Sequence, residues 1–318
     1  MARRPRRSCF RVFKRTVWYV ASERSSEPVF QRQTGAVRAG MRIAIQGEPG
    51  SFSHYAALKL ADQATIVPCT LSAEVFAALT DGKVEAAVIP IENSLAGSVS
   101  EHFDLLLAHD VKVERETLLR IRHNLIAIPG VTTDQIDRVF SHPVALAQCR
   151  RFLAEHPWMR AVAFYDTAGS VKQLVGLRDR RAAAIASEAA ARTYGAEILA
   201  SDIEDDPENY TRFFLVRRSS EAETDPESNK MSVAFALEHR PGSLVAALSA
   251  LSAMGTNLTK IESRPVQGKP WEYIFYVDCQ IGSSEEGMRA LEALRAHCGM
   301  VKELGRYREA RGVESATP

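Results

Sequence analysis

From Arg42 to Val216, short apolar runs alternate with stretches of helical periodicity, and this rhythm leaves few folds open. The runs that we interpret as strands are 42–46, 65–67, 86–89, 124–128, 138–140, 161–164, 182–185 and 213–216. The helix candidates between them are 53–61, 72–79, 144–155, 168–175 and 188–194. Such alternation is typical of βαβ units with mostly parallel sheets. Eight short strands predict two small lobes with a cleft between them, a favoured place for a ligand.

A second pattern follows the polar stretch 218–229, which reads as a linker. Apolar residues alternate from Met231 to Leu237, and a helix opens after Pro241 and ends near Gly255. Strands at 256–263 and 272–281, a helix at 285–297 and a strand at 300–306 complete β-α-β-β-α-β, the ferredoxin-like order. We therefore divide the chain into an α/β unit of two lobes at 41–217, the linker 218–229, a small module at 230–308 and a tail at 309–318.

Residues 1–40 are set apart by ten Lys or Arg against two Asp or Glu, although the whole chain carries a net charge of only +1. They lack apolar periodicity, so we expect a disordered extension or a misassigned start, with Met41 beginning the folded unit. A transit peptide, or an arm for nucleic acid or membrane, remains an alternative.

The remaining composition excludes several classes of protein. Residues 41–318 are mildly acidic, which argues against nucleic acid as a partner. No run approaches the ~20 apolar residues of a membrane span. The five cysteines are odd in number and widely spaced, which favours a reduced, cytoplasmic setting. The histidine spacing suggests no metal site, and neither a nucleotide-binding fingerprint nor a G-x-S-x-G motif is present.

Four polar turns stand at strand ends, where α/β proteins bind ligands: 47–54, 90–94, 166–170 and 209–212. Hydroxyl, amide and backbone N–H groups in such turns can hold a small polyanion. Thr211 beside Arg212 would add a proton-bearing hydroxyl next to a positive charge. On chemistry alone each turn has a structural alternative, a helix cap or an ion pair at a strand edge.

Together with Ser141-His142-Pro143, these turns resemble prephenate dehydratase, in the order of that family. The resemblance spans roughly residues 41–308, because the C-terminal module resembles an ACT regulatory domain. Two of its segments resemble the family's phenylalanine-binding motifs: Pro241, Gly242, Ser243, Leu244 and Val245, and Glu262, Ser263, Arg264 and Pro265. Ser243 departs from the usual Ala, and Gly169-Ser170 departs from an Ala-rich stretch.

The resemblance implies a bilobal α/β fold like a type II periplasmic binding protein, followed by the ferredoxin-like module. It implies decarboxylating dehydration of prephenate to phenylpyruvate in phenylalanine biosynthesis, with Thr211 as the catalytic residue and neither cofactor nor metal. The residues implied in substrate binding are Ser51, Asn93, Ser94, Thr167, Ala168, Arg212 and Phe213.

Regulation is implied as well. L-phenylalanine would be an allosteric inhibitor that acts through a subunit interface of a homodimer or homotetramer. From this division of labour we expect deletion of the residues after Arg218 to abolish regulation while leaving catalysis measurable.

Two alternative functions stay open. Arogenate dehydratase acts on a substrate with an amino group in place of the keto group, and the motifs do not separate the two enzymes. A non-catalytic amino-acid sensor would keep the lobes and the module, but it would not need a proton donor at Thr211.

Overall fold

The computed structural model describes residues 40–266 and 272–310, which form two α/β lobes and a smaller C-terminal module. The strands are β1 Arg42–Gln46, β2 Thr65–Cys69, β3 Ala86–Asn93, β4 Gly97–Ser98, β5 Val111–Arg120, β6 Asn124–Ala127, β7 Arg138–Ser141, β8 Arg160–Ala163, β9 Ala182–Ala186, β10 Glu197–Ala200, β11 Tyr210–Arg218, β12 Lys230–Ala236, β13 Asn257–Pro265, β14 Tyr273–Gln280 and β15 Met300–Tyr307. The α-helices are α1 Phe52–Leu60, α2 Ser72–Thr80, α3 Ser100–Ala108, α4 Pro143–Ala147, α5 Arg150–Glu155, α6 Thr167–Leu177, α7 Glu188–Tyr194, α8 Ser243–Ala253 and α9 Ser284–Arg295. Our expectations for the basic segment 1–39 and for residues 311–318 lie outside the described residues.

Lobe 1 is built on the sheet β2-β1-β3-β11-β5, with β4 paired to β3. β1 is parallel to both β2 and β3, whereas β11 is antiparallel to β3 and β5. The odd positions of β11, such as Leu215, pack with α1, and its even positions, such as Phe214, pack with α2 and α3. Adjacent residues of β11 therefore face different environments, as strand geometry requires.

Lobe 2 is built on the sheet β10-β6-β9-β7-β8. The chain enters this lobe after β5 and returns to lobe 1 in β11, so two segments join the lobes. This confirms the predicted bilobal α/β architecture. The carboxyl ends of β1 and β3 in lobe 1 lead into the loops that meet lobe 2.

The C-terminal module runs β12-α8-β13-β14-α9-β15, with the sheet order β13-β14-β12-β15 and antiparallel pairing throughout. That is the ferredoxin-like arrangement predicted from the sequence. One face of the sheet packs on α8 and α9 through side chains such as Val233 and Phe235.

The other face of this sheet packs on lobe 1 and shares its core. Ala234, Tyr276 and Tyr307 belong to the same buried cluster as Phe103 and Phe214 of lobe 1. Close approach is possible because β15 carries glycine there: a Cβ added at Gly305 would lie 2.1 Å from the backbone oxygen of Val113 in β5. The module and lobe 1 thus share one hydrophobic core.

No helix within residues 40–266 and 272–310 is long and apolar enough to cross a membrane.

Candidate active site

Thr211 and Asn93 lie side by side where two neighbouring strands of lobe 1 reach the cleft. Thr211 is the second residue of β11, Asn93 is the last residue of β3, and the two are paired across the sheet. The Nδ2 atom of Asn93 lies 3.0 Å from the Oγ1 atom of Thr211. Thr211 is 8% exposed, so its hydroxyl is shielded from bulk water.

The orientation of the Asn93 amide is fixed by backbone groups. Its Oδ1 atom accepts hydrogen bonds from the N–H groups of Leu95 and Ala96, at 3.1 and 2.8 Å. Its Nδ2 atom donates to the carbonyl oxygen of Tyr210 at 3.1 Å. The two N–H groups of Asn93 are shared among three oxygens, those of Tyr210, Asn209 and Thr211. Because an amide nitrogen cannot accept, Asn93 is the donor to Thr211, and the hydroxyl hydrogen of Thr211 is left to donate elsewhere.

Asn93 also belongs to a closed ring of three side-chain amides, called here the amide ring. Asn93 donates to Asn209 at 2.7 Å, Asn209 donates to Gln148 at 3.0 Å, and Gln148 donates back to Asn93 at 3.3 Å. Each amide gives one N–H and accepts at its oxygen, so every direction is determined. Since Gln148 comes from lobe 2, the ring links the two lobes at Thr211.

His123 supports the ring from the segment that joins the lobes. Its Nε2 atom lies 2.9 Å from the Oε1 atom of Gln148. That oxygen already accepts from Asn209, so His123 is the donor and carries its proton on Nε2. Burial lowers the pKa of His123, only partly offset by the hydrogen bond to Gln148. The imidazole is therefore neutral, and it meets the ring of Phe52 edge-on at 5.9 Å.

We expect the buried, neutral His123 to make folding stability depend on pH. Because its folded pKa lies below the ordinary value near 6.5, the unfolded state binds the proton more readily. Stability is then full above about pH 6.5 and falls as the pH drops, by at most about 1.4 kcal/mol per pH unit from this group. Urea unfolding of the wild type and of His123→Gln at pH 7.5 and 5.5 measures the effect.

His123→Gln is the appropriate comparison because its side-chain N–H can still reach Gln148 while nothing titrates. The variant should lose less stability between the two pH values than the wild type does. An equal loss in both proteins would show that His123 does not titrate on unfolding.

Ser94 lies next to Asn93, but its hydroxyl is hydrogen-bonded to backbone groups. Its Oγ atom donates to the carbonyl of Glu208 and accepts from the N–H of Tyr210, both at 2.9 Å. Ser94 thus holds the segment that leads into Thr211.

Ser51 lies in the loop between β1 and α1, which rests against lobe 2. Ser51 caps α1, accepting from the N–H of His54 at 3.3 Å, and the preceding Gly50 accepts from the hydroxyl of Ser187 in lobe 2 at 2.6 Å. Gly50 has φ +86°, and a Cβ there would lie 2.8 Å from the backbone of Ala190. The loop therefore requires glycine to approach lobe 2.

Thr167 and Ala168 form the first turn of α6, opposite that loop. Asp166 caps the helix by accepting from the N–H of Gly169 at 2.7 Å, and burial raises the pKa of its carboxyl group. A Cβ at Gly47 would lie 2.7 Å from Asp166, so the predicted turns meet across the cleft. The side chain of Ala168 lies in the core of lobe 2, so only its backbone can face a ligand.

Arg212 and Phe213 are not placed as substrate-binding residues, and here the structure corrects our expectation. Arg212 follows Thr211 on the strand and points to the opposite face, where its Nη2 atom lies 2.6 Å from Asp278 of the C-terminal module. Phe213 is 1% exposed and packs in the core beneath α1. Because side chains alternate between the two faces of β11, Arg212 lies on the face opposite the Thr211 hydroxyl, which we had expected it to assist.

Gln148, Asn209 and His123 are site residues that the sequence interpretation missed. We predicted one helix over 144–155, but the chain breaks between α4 and α5 and turns Gln148 towards Asn93. Asp205 causes the break, because its carboxylate caps α5 through the N–H groups of Arg150 and Arg151. Asn209 lies in the turn 209–212, which the sequence analysis had selected. Its place next to Thr211 at a strand end was therefore the one feature of the sequence that could have identified it.

A cavity of about 200 Å³ lies beside the segment that carries His123. Phe52, Arg120, Arg122, Asn124 and Ser187 are among the residues that line it. Arg122 and Asn124 flank His123 in the chain. Thr211 and the three residues of the amide ring are not among the lining residues.

The two predicted effector motifs lie in the C-terminal module. Gly242 has φ +85° and precedes α8, whose first turn exposes Val245. Glu262 to Pro265 end β13, and Arg264 pairs with Asp104 of lobe 1 at 2.6 Å. The second motif is thus fastened to lobe 1.

The chain is similar to known proteins. The family model described as prephenate dehydratase matches residues 43–221. A chloroplastic arogenate dehydratase/prephenate dehydratase from Arabidopsis thaliana is 40% identical, over 84% of this chain and 72% of that protein.

Two solved structures are similar as well, each with a TM-score of 0.77 and 33% identity over 85% of this chain. One is the prephenate dehydratase of Arthrobacter aurescens in complex with L-Phe, of which 90% is covered. The other, of which 98% is covered, is GqqA, described as a quorum-quenching acylase. The match to the family model spans both lobes and the strand that bears Thr211, and on that ground the chain belongs to the prephenate dehydratase family.

Proposed function

We propose that this chain converts prephenate to phenylpyruvate and that the hydroxyl of Thr211 assists the departure of the ring hydroxyl. The observation that carries the proposal is the hydrogen bond from Asn93 to Thr211 in the cleft. Because Asn93 donates to the Thr211 oxygen, the O–H of Thr211 is polarised and directed to another acceptor. A leaving hydroxyl is such an acceptor.

The reaction needs few groups of the protein besides this hydrogen-bond donor. The bond between the ring and its carboxylate breaks, and its electron pair enters the ring as CO₂ leaves. The ring becomes aromatic as the C–O bond to the hydroxyl breaks, and one proton completes water. Aromatisation supplies the driving force, so the protein has to orient the dianion, exclude water and supply a hydrogen bond at the departing oxygen.

The surroundings of Thr211 favour this role over acyl transfer. A nucleophilic hydroxyl needs a neighbouring base, whereas the partner that Thr211 has is an amide donor. The neutral His123 is engaged with Gln148, so it serves the ring rather than Thr211. Hydrolysis of acyl amides, the activity that the name of the similar acylase suggests, is therefore the less suitable chemistry for this site.

Substrate contacts are proposed for the groups at the cleft: Ser51, Thr167, the backbone of Ala168, and Gln148. Their N–H and hydroxyl groups, at the first turns of α1 and α6 and beside the amide ring, suit the carboxylates of prephenate. Asn93 and Ser94, which the sequence also suggested for this role, are proposed as positioning residues, because their side-chain donors are already engaged within the protein. Arg212 and Phe213 are excluded from this set by their positions.

The test is a product assay with purified protein and two substrates in parallel. We expect phenylpyruvate from prephenate, and slower formation of phenylalanine from arogenate. Faster turnover of arogenate would make the chain an arogenate dehydratase. Binding of prephenate without turnover of either substrate would support the sensor.

Regulation by phenylalanine completes the proposal, with the C-terminal module acting as an ACT domain in a cytoplasmic homodimer or homotetramer. The similar Arthrobacter aurescens structure holds L-Phe. In this chain the Oγ atom of Ser243, beside Gly242, is buried without a hydrogen-bond partner in the described part of the chain. An amino-acid ligand at the start of α8 would supply one.

We expect Gly242→Val to weaken phenylalanine binding at least about tenfold, because a side chain there would occupy the space where the ligand approaches. Nothing lies within 4 Å of a Cβ added at Gly242. Calorimetry with phenylalanine measures the binding constant, and turnover without phenylalanine should stay unchanged. A tenfold loss corresponds to about 1.4 kcal/mol.

Gly255→Val is the matched control, since Gly255 follows the other end of α8 with φ +76° and equally open space. Both substitutions impose a similar backbone strain, and only the first lies at the motif. Equal weakening by the two variants would refute the assignment of this motif to the effector.

A further inference from the structure

Six charged residues meet where the C-terminal module packs on lobe 1, and they are called here the interface charge cluster. Lobe 1 contributes Glu92, Glu116 and Arg212, and the module contributes Lys230, Lys260 and Asp278. Each side of the interface thus contributes both cations and carboxylates, and each buried charge has a partner on the other side. Buried charges of this kind are tolerated only when they are paired.

Arg212 is the central cation on the lobe 1 side of the cluster. Besides Asp278 at 2.6 Å, its guanidinium lies 3.1 Å from Glu116 and 3.5 Å from Glu92. Burial alone would lower the pKa of Arg212, but Asp278 and Glu116 raise it, so the group stays charged. Its side chain is held by partners from both sides of the interface.

Lys260 is the corresponding cation from the module. Its ammonium lies 2.8 Å from Glu92 and 2.6 Å from the hydroxyl of Ser98, both in lobe 1. The same ammonium lies 3.4 Å from Glu262 of its own strand. Lys260 therefore shares its charge between lobe 1 and the strand that carries the second effector motif.

The residues held by this cluster flank the proposed catalytic pair. Glu92 immediately precedes Asn93, and Arg212 immediately follows Thr211. Because neighbouring strand residues point to opposite faces, the charges clamp the reverse side of the two strand ends that present Asn93 and Thr211. A shift of Glu92 by a fraction of an ångström would therefore change the length of the hydrogen bond between Asn93 and Thr211.

We propose that Lys260 is a positioning residue that couples Glu262 of the effector motif to Glu92, and through it to Asn93 and Thr211. This rests on the proposed function, because it assumes an effector at the module and turnover at Thr211. An effector held at the start of α8 of a neighbouring subunit, whose ammonium group pairs with Glu262, competes with Lys260 for that carboxylate. Lys260 then loses Glu262 and pairs with Glu92 and Ser98 alone, and the end of β3 moves. The effector therefore binds more tightly when Lys260 is released from Glu262 than when the two are paired. A ligand can shift an equilibrium between two conformations only through such a difference in affinity.

The test compares Lys260→Met with Lys302→Met. Lys302 also reaches from the module to lobe 1, but it donates to backbone carbonyls at the end of α3, including those of Leu106 and Leu107, rather than to the charge cluster. Each variant removes one ammonium that crosses the interface and keeps an unbranched side chain. Lys260→Arg keeps the charge and serves as the rescue.

Two readouts are taken on the full chain. In the first, phenylalanine inhibition of prephenate turnover should weaken about fivefold or more in Lys260→Met, while calorimetry shows phenylalanine still bound. Lys302→Met and Lys260→Arg should be inhibited like the wild type. In the second, phenylalanine should change amide hydrogen exchange in segments 91–95 and 209–213 of the wild type and of Lys302→Met, but not of Lys260→Met.

The outcomes separate the two proposals. A wild type that turns over neither substrate refutes the proposed function, and hydrogen exchange still tests the coupling, because it does not depend on turnover. Wild-type inhibition and exchange response in Lys260→Met overturn the coupling alone. A loss of response in Lys302→Met equal to that in Lys260→Met overturns it too, because the docking of the module as a whole would then carry the signal. Failure of phenylalanine to alter exchange at these segments in the wild type overturns it as well.

Discussion

Thr211→Val should lower kcat for prephenate by about 10²- to 10⁴-fold while changing KM little. Valine has nearly the shape of threonine but has no hydroxyl, so the cleft keeps its form and loses the donor at the departing oxygen. The Nδ2 atom of Asn93 keeps Asn209 and Tyr210 as acceptors, so the amide ring survives. Loss of one positioned donor or general acid typically costs that much in rate. Steady-state kinetics with prephenate measures it.

Thr211→Ser is the matched control, since it keeps the hydroxyl at the same distance from the backbone. We expect it to retain most of the turnover. A valine variant as fast as the serine variant would remove the Thr211 hydroxyl from the mechanism.

A chain that ends at Arg218 should fail to fold into an active enzyme. The module packs on the face of lobe 1 that contains Phe103 and Phe214, which are at most 1% exposed and contact Tyr276 and Tyr307 of the module. Exposing several such side chains costs about 1.5–3 kcal/mol each at the limit of full exposure. The total is comparable to the whole stability of an ordinary protein, about 5–15 kcal/mol. Circular dichroism and a thermal melt of the truncated chain measure the outcome.

This expectation is opposite to the one drawn from the sequence, which treated the module as separable. The reason is the shared core: β15 approaches β5 at Gly305, and Phe103 and Phe214 of lobe 1 lie against Tyr276 and Tyr307 of the module. Cooperative unfolding together with measurable turnover in the truncated chain would restore the sequence-based view.

The sequence predicted most strands of the lobes and the whole order of the module, because apolar periodicity follows burial in both. It failed at β5, a ten-residue strand with charges at Lys112, Glu114, Arg115 and Glu116. Glu116 is 5% exposed, yet its partners Arg212 and Lys230 lie far away in the chain. Long-range charge pairing of this kind leaves no local pattern, so the sequence analysis assigned no strand to this segment.

The site was predicted in part for similar reasons. Asn93, Ser94 and Thr211 stand at strand ends, and strand ends can be recognised in a sequence. The role of Gln148 depends on a helix break that Asp205 imposes from 57 residues further along the chain. The side of the sheet on which Arg212 lies depends on register, which no single turn motif reveals.

A double-mutant cycle tests whether Asn93 acts through Thr211, as the proposed mechanism requires. Purified wild type, Asn93→Ala, Thr211→Val and the double variant are compared in kcat with saturating prephenate. Because Asn93 acts by polarising the Thr211 hydroxyl, its removal should matter little once that hydroxyl is gone. We predict that Asn93→Ala slows the wild type strongly and slows Thr211→Val by less than about threefold. Losses that multiply in the double variant would show that the two residues act independently, which would contradict the proposed role of Asn93.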